Sequence, residues 1–241
     1  MHNRILFASD IHLSPSRPEL ADLFFKFLNG PCQTADALYL LGDIFEGWVG
    51  DDDLNPYYES IEQSLWLLNQ HGTQIYFMPG NRDFMIGNDF LKRTGCIGLE
   101  DPTAIDLFGQ TTLLMHGDTL CTLDVKYQRF RKFARHPLTR LVFLNLPLKL
   151  RQSIFGGFRN KSKQAVSQKP MHIMDVTPEA VCSTFKQFKV SQIIHGHVHR
   201  PLTHLNETPN SKRIVLGDWG KTGSYIEATP LDIRLYELRL M

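Results

Sequence analysis

Ile5-Leu6-Phe7-Ala8-Ser9-Asp10-Ile11-His12 is a short apolar run that ends in two side chains of metal-ligand type. Apolar, β-branched and aromatic residues in a run this short predict a buried strand over Ile5 to Ser9, with Asp10 and His12 just past its end. The same juncture recurs along the chain. The strand predicted over Ala37 to Leu41 ends in Gly42-Asp43, and that over Ile75 to Met78 is followed by Gly80-Asn81-Arg82-Asp83. Thr111 to Met115 leads into His116-Gly117-Asp118, and Gln192 to Ile194 into His195-Gly196-His197-Val198-His199. Ligands of open α/β sheets bind at strand ends, so these five clusters converge on one rim. The glycines permit tight turns that let the side chains point inward.

Glu19 to Asn29 and Tyr57 to Gln70 carry apolar residues at three-and-four spacing, which makes the N-terminal half β-α-β-α-β. Arg213 to Leu216 and Ile233 to Leu238 add strands to a C-terminal half with fewer helices. A layered α/β fold with two sheets is therefore expected, in one domain over residues 1–241. At 42% hydrophobic and 21% charged, the composition is that of an ordinary globular protein.

Several classes are excluded on bulk features. The N-terminal apolar run is too brief for a signal-peptide core, which predicts a cytoplasmic protein. Leu138 to Leu150 is interrupted by Arg140, Asn145, Pro147 and Lys149 and falls short of the roughly 20 residues that span a bilayer. Cys32, Cys96, Cys121 and Cys182 form no Cys-x-x-Cys pair, so they read as reduced thiols.

The net charge of +1 conceals a separation. From Lys126 to Lys169 the chain holds twelve Lys and Arg and no Asp or Glu, which leaves the remainder at −11. The same segment holds Phe130, Phe133, Leu141, Val142, Phe143, Phe155 and Phe158. Basic and apolar together, residues at about 124–170 predict helices with one apolar face, inserted over the α/β core.

Taken singly, the ligand-type residues are ordinary. An Asp after a strand commonly caps a helix, an acidic run such as Asp51 to Asp53 commonly faces solvent or caps, and a lone His is commonly structural. Their co-occurrence at successive strand ends is what points to chemistry. Mixed Asp, Asn and His donors suit Mn²⁺, Fe²⁺ or Zn²⁺, and seven ligands with one carboxylate shared suffice for two ions.

Asp10-Ile11-His12, Gly42-Asp43, Gly80-Asn81-Arg82-Asp83, His116 and Gly196-His197-Val198-His199 resemble the signature of the calcineurin-like metallophosphoesterases. The resemblance implies a sandwich of two mixed β-sheets flanked by helices, with the insertion as a lid over the active site. It also implies a two-metal centre: Asp10, His12 and His199 on one ion, Asn81, His116 and His197 on the other, and Asp43 bridging. A hydroxide between the ions would attack phosphorus in line.

Arg82 departs from the superfamily pattern, which has His after Gly-Asn and commonly assigns it to protonating the leaving alkoxide. A guanidinium cannot serve as that acid but can clamp a phosphate. A phosphate monoester leaves without a proton, so Arg82 favours pyrophosphate-bridged substrates over phosphomonoesters.

The continuous strings Gly42 to Asp53, Gly80 to Phe84, Met115 to Cys121 and His195 to Pro201 are similar to the UDP-2,3-diacylglucosamine hydrolase family of Gram-negative bacteria. That resemblance implies release of UMP and 2,3-diacylglucosamine 1-phosphate for lipid A assembly, by attack on the uridine-side phosphorus. It implies two Mn²⁺ ions per chain and peripheral attachment to the inner face of the cytoplasmic membrane, with no nucleic-acid partner; a monomer is the default. The catalytic residues would be Asn81, Arg82 and His116. Substrate contacts would fall at Asn81, Arg82, Asp124, Tyr127, Ser162, Lys169 and His197, while Val166 stands where the family usually has a polar Asn. A hydrolase of soluble nucleotides or diesters, and a binding module with a vestigial site, are the alternatives.

Overall fold

The computed structural model describes residues 3–170 and 173–239, and for residues 160–168 the backbone alone. The N-terminal half runs β1 (Ile5–Ala8), α1 (Pro18–Asn29), β2 (Ala37–Leu41), α2 (Pro56–Gln70), β3 (Gln74–Met78), α3 (Asn88–Thr94) and β4 (Ile97–Gly98). There follow β5 (Thr103–Leu107), β6 (Gln110–Met115) and three helices, α4 (Val125–Ala134), α5 (Pro137–Leu144) and α6 (Leu148–Gln168). The chain ends with α7 (Pro178–Phe188), β7 (Gln192–His195), β8 (Leu202–Leu205), β9 (Lys212–Val215), β10 (Thr222–Ala228) and β11 (Ile233–Arg239).

Two mixed sheets result, ordered β11-β10-β1-β2-β3-β4 and β5-β6-β7-β9-β8. β1, β2, β3 and β4 are parallel in the first, and β6, β7 and β9 in the second. Parallel neighbours put their C-terminal ends on one edge, which is what gathers the five clusters.

Side-chain alternation stacks the layers. Leu6 and Ala8 of β1 face outward with Leu38, Leu40, Ile75 and Phe77, and cluster with Leu20, Leu23, Phe24 and Phe27 of α1 and Ile61 and Leu65 of α2. Phe7 faces the other way, with Tyr39, Leu41 and Met78, onto Leu114, Ile194 and Ile214 of the second sheet. The far face of that sheet, Leu113, Met115 and Ile193, packs on Val181 and Phe185 of α7. Helices α1 and α7 start with Pro at the first turn, where the missing N–H costs nothing.

The predicted insertion is three helices, and much of its charge is internal. Arg131 bridges Asp118 at 2.7 Å and Asp101 at 3.1 Å, Arg159 reaches Glu46 at 2.6 Å, and Arg151 pairs with Asp52. Arg135 donates to the Gly80 carbonyl at 2.9 Å and lies over the Phe84 ring. The acidic core and the basic segment therefore hold each other, and α4 and α6 touch the loops that follow β2 and β3. Among the described residues, no helix is long and apolar enough to cross a membrane.

Candidate metal centre

Asp10 and His12 follow β1, Asp43 follows β2, Asn81 follows β3, His116 follows β6, and His197 and His199 follow β7. Backbone hydrogen bonds lock these loops together: Asp10 N–H to Gly42 O at 3.0 Å, His12 N–H to Asp43 O at 3.0 Å, and Gly196 N–H to His116 O at 3.0 Å. His197 N–H donates to Asp10 Oδ2 at 2.9 Å, across both sheets.

The backbone is strained where the ligands sit. Ten described non-glycine residues have positive φ, and five of them are Asp10, His12, Asp43, His197 and His199, at 54°, 56°, 54°, 70° and 55°. Left-handed backbone disfavours side chains, and its concentration in the expected ligands marks a site the fold over-determines. Gly42, at φ +88°, leaves space that a Cβ would take from Gly80 Cα and His116 Nδ1, at 2.6 and 2.7 Å. Gly196 does the same for Ser9 and Asp10, whose Oδ2 would stand 2.3 Å from an added Cβ.

The donor atoms form two groups, Asp10 with His12 and His199, and Asp10 with Asp43 and His116, each within 4.8 Å. Asp10 is thus common to both groups, whereas the resemblance puts the bridge at Asp43.

The donor chemistry fits a cation. His116 Nδ1 lies 3.0 Å from the Leu41 carbonyl, which can only accept, so Nδ1 carries a hydrogen and Nε2 is the nitrogen left to ligate. Nε2 stands 2.9 Å from Asn81 Oδ1, a contact that a hydrogen on Nε2 bridges in the metal-free protein and that a cation held by both atoms would replace. Among the described residues, Asp10 Oδ1 is buried with no hydrogen bond of good geometry, and His199 Nε2 lies 3.3 Å from it. The same demand shows in the titration of the bare protein. Burial opposes a charge on His116, but Asp43, Asp10, Asp118 and Asp101 push its pKa up to about 9. Burial likewise opposes the Asp10 carboxylate, but His199, His116 and His12 hold its pKa below the usual range. Burial and His116 push His197 down to about 4, so it stays neutral and able to ligate.

Asp83, to which sequence reasoning gave no role, is fully buried and holds two of the loops as one. Its carboxylate accepts Gly80 N–H at 2.7 Å and Ile44 N–H at 2.8 Å, with Asp43 and Phe45 N–H at 3.3 Å. Burial and Asp43 raise it to about 6. Asp101 was also missed. It accepts His116 N–H at 3.1 Å and receives Arg131, which also serves Asp118. Glu46 stands 3.2 Å from His12 Nδ1; burial opposes its charge, but His12, Arg159 and Arg82 hold it down to about 2.

The expected substrate residues gather beside these ligands in part. Arg82 N–H donates to Asp43 Oδ1 at 2.7 Å, and its buried Nε has no hydrogen-bond partner among the described residues. The Tyr127 ring stacks on His197 with centroids 6.2 Å apart, and its hydroxyl donates to Asp118. Lys169 Nζ meets Asp124 at 2.5 Å, and Asp124 caps α4. Ser162 and Val166 have side chains outside the described residues. Asp51 takes the structural part expected of the acidic turn, accepting Gly87, Asp89 and Phe90 N–H at the start of α3.

The calcineurin-like phosphoesterase family matches residues 3–201. A UDP-2,3-diacylglucosamine hydrolase of Pseudomonas syringae pv. tomato is 46% identical over 91% of this chain and 89% of its own. One of Aeromonas salmonicida is 46% identical over 98% of this chain and 93% of its own. Among solved structures, vacuolar protein sorting 29 of Cryptosporidium parvum shares the fold, with a TM-score of 0.52 at 11% identity over 99% of this chain and 92% of that one. Together with the ligand groups, these similarities make the protein a metal-dependent hydrolase. The chain belongs to the calcineurin-like phosphoesterase family and, within it, to the relatives named UDP-2,3-diacylglucosamine hydrolase.

Proposed function

We propose that the chain hydrolyses the pyrophosphate of UDP-2,3-diacylglucosamine to UMP and 2,3-diacylglucosamine 1-phosphate in lipid A biosynthesis, with two Mn²⁺ ions. Asp10, His12 and His199 would hold one ion, Asn81, His116 and His197 the other, with Asp43 between them. When bound, such a pair supplies a nucleophile from water near neutral pH and offsets charge on the reacting phosphorus.

Arg82 carries the reading. Its main chain is fixed by Asp43, its Nε donor has no partner among the described residues, and it stands where an acid would be needed for an alkoxide leaving group. A guanidinium there binds and orients a diphosphate, whose leaving phosphate needs no proton. Asn81, Asp124, Tyr127, Ser162, Lys169 and His197 complete the substrate contacts in this reading. Tyr127 on His197 and Lys169 on Asp124 support it, because the first brings the start of the insertion to a metal ligand and the second ties the end of the insertion to that start.

Helices α4 to α6 are the lid. Its outer surface exposes Phe133, Leu138, Leu141 and Val142, with Arg129, Lys132 and Lys149 exposed nearby. Basic and apolar surface of this kind supports peripheral docking of a monomer on the anionic cytoplasmic leaflet.

The test is UMP release from UDP-2,3-diacylglucosamine with Mn²⁺ added or chelated, run in oxygen-18 water. Metal-dependent release with label in UMP is expected. Label confined to the sugar phosphate overturns the site of attack, and equal rates on deacylated UDP-glucosamine overturn the lipid substrate in favour of a soluble nucleotide.

A further inference from the structure

We propose that Glu46 is a positioning residue that fixes the tautomer of His12 and couples the seating of α6 to the first metal group. The inference rests on the two-metal reading and concerns how one of its ligands is prepared.

Glu46 divides its carboxylate between the site and the insertion. Oε2 lies 3.2 Å from His12 Nδ1, and an oxygen of the same group lies 2.6 Å from Arg159 Nη2 on α6. The side chains of Glu46, His12 and Arg159 are only 15%, 12% and 26% exposed, so water competes weakly for these contacts. Among the described residues, His12 Nδ1 makes no hydrogen bond of good geometry, and Glu46 Oε2, 3.2 Å away, is an acceptor within its reach. A carboxylate facing Nδ1 keeps the hydrogen there and leaves the lone pair on Nε2, free for a cation held at the group that His12 forms with Asp10 and His199.

The main chain supports this placement. Leu13 N–H donates to Ile44 O at 2.8 Å and Glu46 N–H donates back to Leu13 O at 2.9 Å, so the loops bearing His12 and Glu46 are paired directly. The seat of α6 is equally specific. Phe155, one turn before Arg159, fills the space over Gly47, where an added Cβ would stand 2.2 Å from the Phe155 ring. Lifting α6 would strip Arg159 from Glu46 and open the carboxylate to water. Because coupling of two binding events is reciprocal, an ion on the His12 group would in turn favour the seated helix.

Calorimetric titration of metal-free protein with Mn²⁺ tests this, alongside tautomer-resolving nitrogen-15 spectra of histidine-labelled metal-free protein. Wild type is expected to bind two ions and to carry the His12 hydrogen on Nδ1. Glu46→Ala should weaken one ion by about 10–100-fold, the usual effect of removing such a partner, and leave the other unchanged. Its His12 should become a mixture of tautomers. Glu46→Gln, which keeps an acceptor, should retain the Nδ1 tautomer and lose less affinity. Arg159→Met should weaken the same single ion and serves as the test if Glu46→Ala fails to fold. Two ions bound by Glu46→Ala or, in its place, Arg159→Met with wild-type affinities, or an unchanged tautomer in Glu46→Ala, overturns the inference. Fewer than two ions on wild type overturns the two-metal reading instead.

Discussion

The carboxylate of Asp83 accepts the backbone N–H of Ile44 at 2.8 Å from inside the core, and so ties the loop of Asn81 to that of Asp43. Gly80 N–H, at 2.7 Å, completes the clamp. Asp83→Asn would turn an amide NH₂ toward these N–H groups. Leaving buried donors unsatisfied costs about 1–3 kcal/mol, and loss of a supporting partner typically weakens metal binding about 10–100-fold. Lower thermal stability together with weaker Mn²⁺ binding is expected; a variant with wild-type metal affinity would show that the clamp does not matter to the site.

Arg82 and Lys differ in what they can do at this position. Arg82→Lys keeps a positive charge and the backbone contact with Asp43 but loses the paired N–H donors. Removing a donor to developing charge costs on the order of 10²–10³ in rate. Steady-state hydrolysis of the pyrophosphate substrate should show most of that loss, while calorimetric Mn²⁺ binding stays at wild type. Full activity in Arg82→Lys would remove the phosphate clamp from the mechanism.

The strand ends were legible because buried parallel strands write themselves as apolar runs, and the ligand residues interrupt those runs at once. β4, β5, β8 and β10 were not legible. Thr103-Ala104-Ile105-Asp106-Leu107 lies on a half-exposed edge, and Thr222-Gly223-Ser224-Tyr225-Ile226-Glu227-Ala228 is broken near its start by Gly223, a residue depleted in strands. The basic insertion was visible as a charge block, but its pairing was not. Arg131, Arg151 and Arg159 meet Asp118, Asp52 and Glu46 across large sequence separations, and single-sequence patterning carries no such distances. Asp83 sat in a quoted motif, yet nothing local distinguishes a carboxylate that binds backbone amides from one that binds a cation.

Arg151 is buried and draws Asp52, which is mostly exposed, toward α6. The Arg151 hydrogen bond holds the Asp52 carboxyl below its ordinary value. A depressed folded-state value means the pair stabilises the protein above the unfolded carboxylate pKa of about 3.9 and loses that effect as pH falls through the folded value. Asp52→Asn should therefore melt lower than wild type at pH 7, with the gap narrowing below about pH 4. A gap that stays constant on acidification would mean Asp52 acts through packing, not charge.

Leu138, Leu141 and Val142 lie at helical three-and-four spacing on α5 and are 65%, 59% and 65% exposed, which places them on one outward face. Burying one leucine is worth about 1.5–3 kcal/mol, so Leu141→Glu should cut partition onto phosphatidylglycerol vesicles by at least about tenfold. Charge reversal at Lys132 should weaken the same binding and blunt its salt dependence, since each basic residue at an anionic surface contributes about 1 kcal/mol. Leu231→Glu is the control: Leu231 is 96% exposed but lies in the turn between β10 and β11, so vesicle binding should not change. Hydrolysis of detergent-dispersed substrate should stay at wild type in Leu141→Glu, because the side chain is mostly exposed and packs on little. Co-sedimentation that is equal for Leu141→Glu and wild type would exclude α5 as the membrane face.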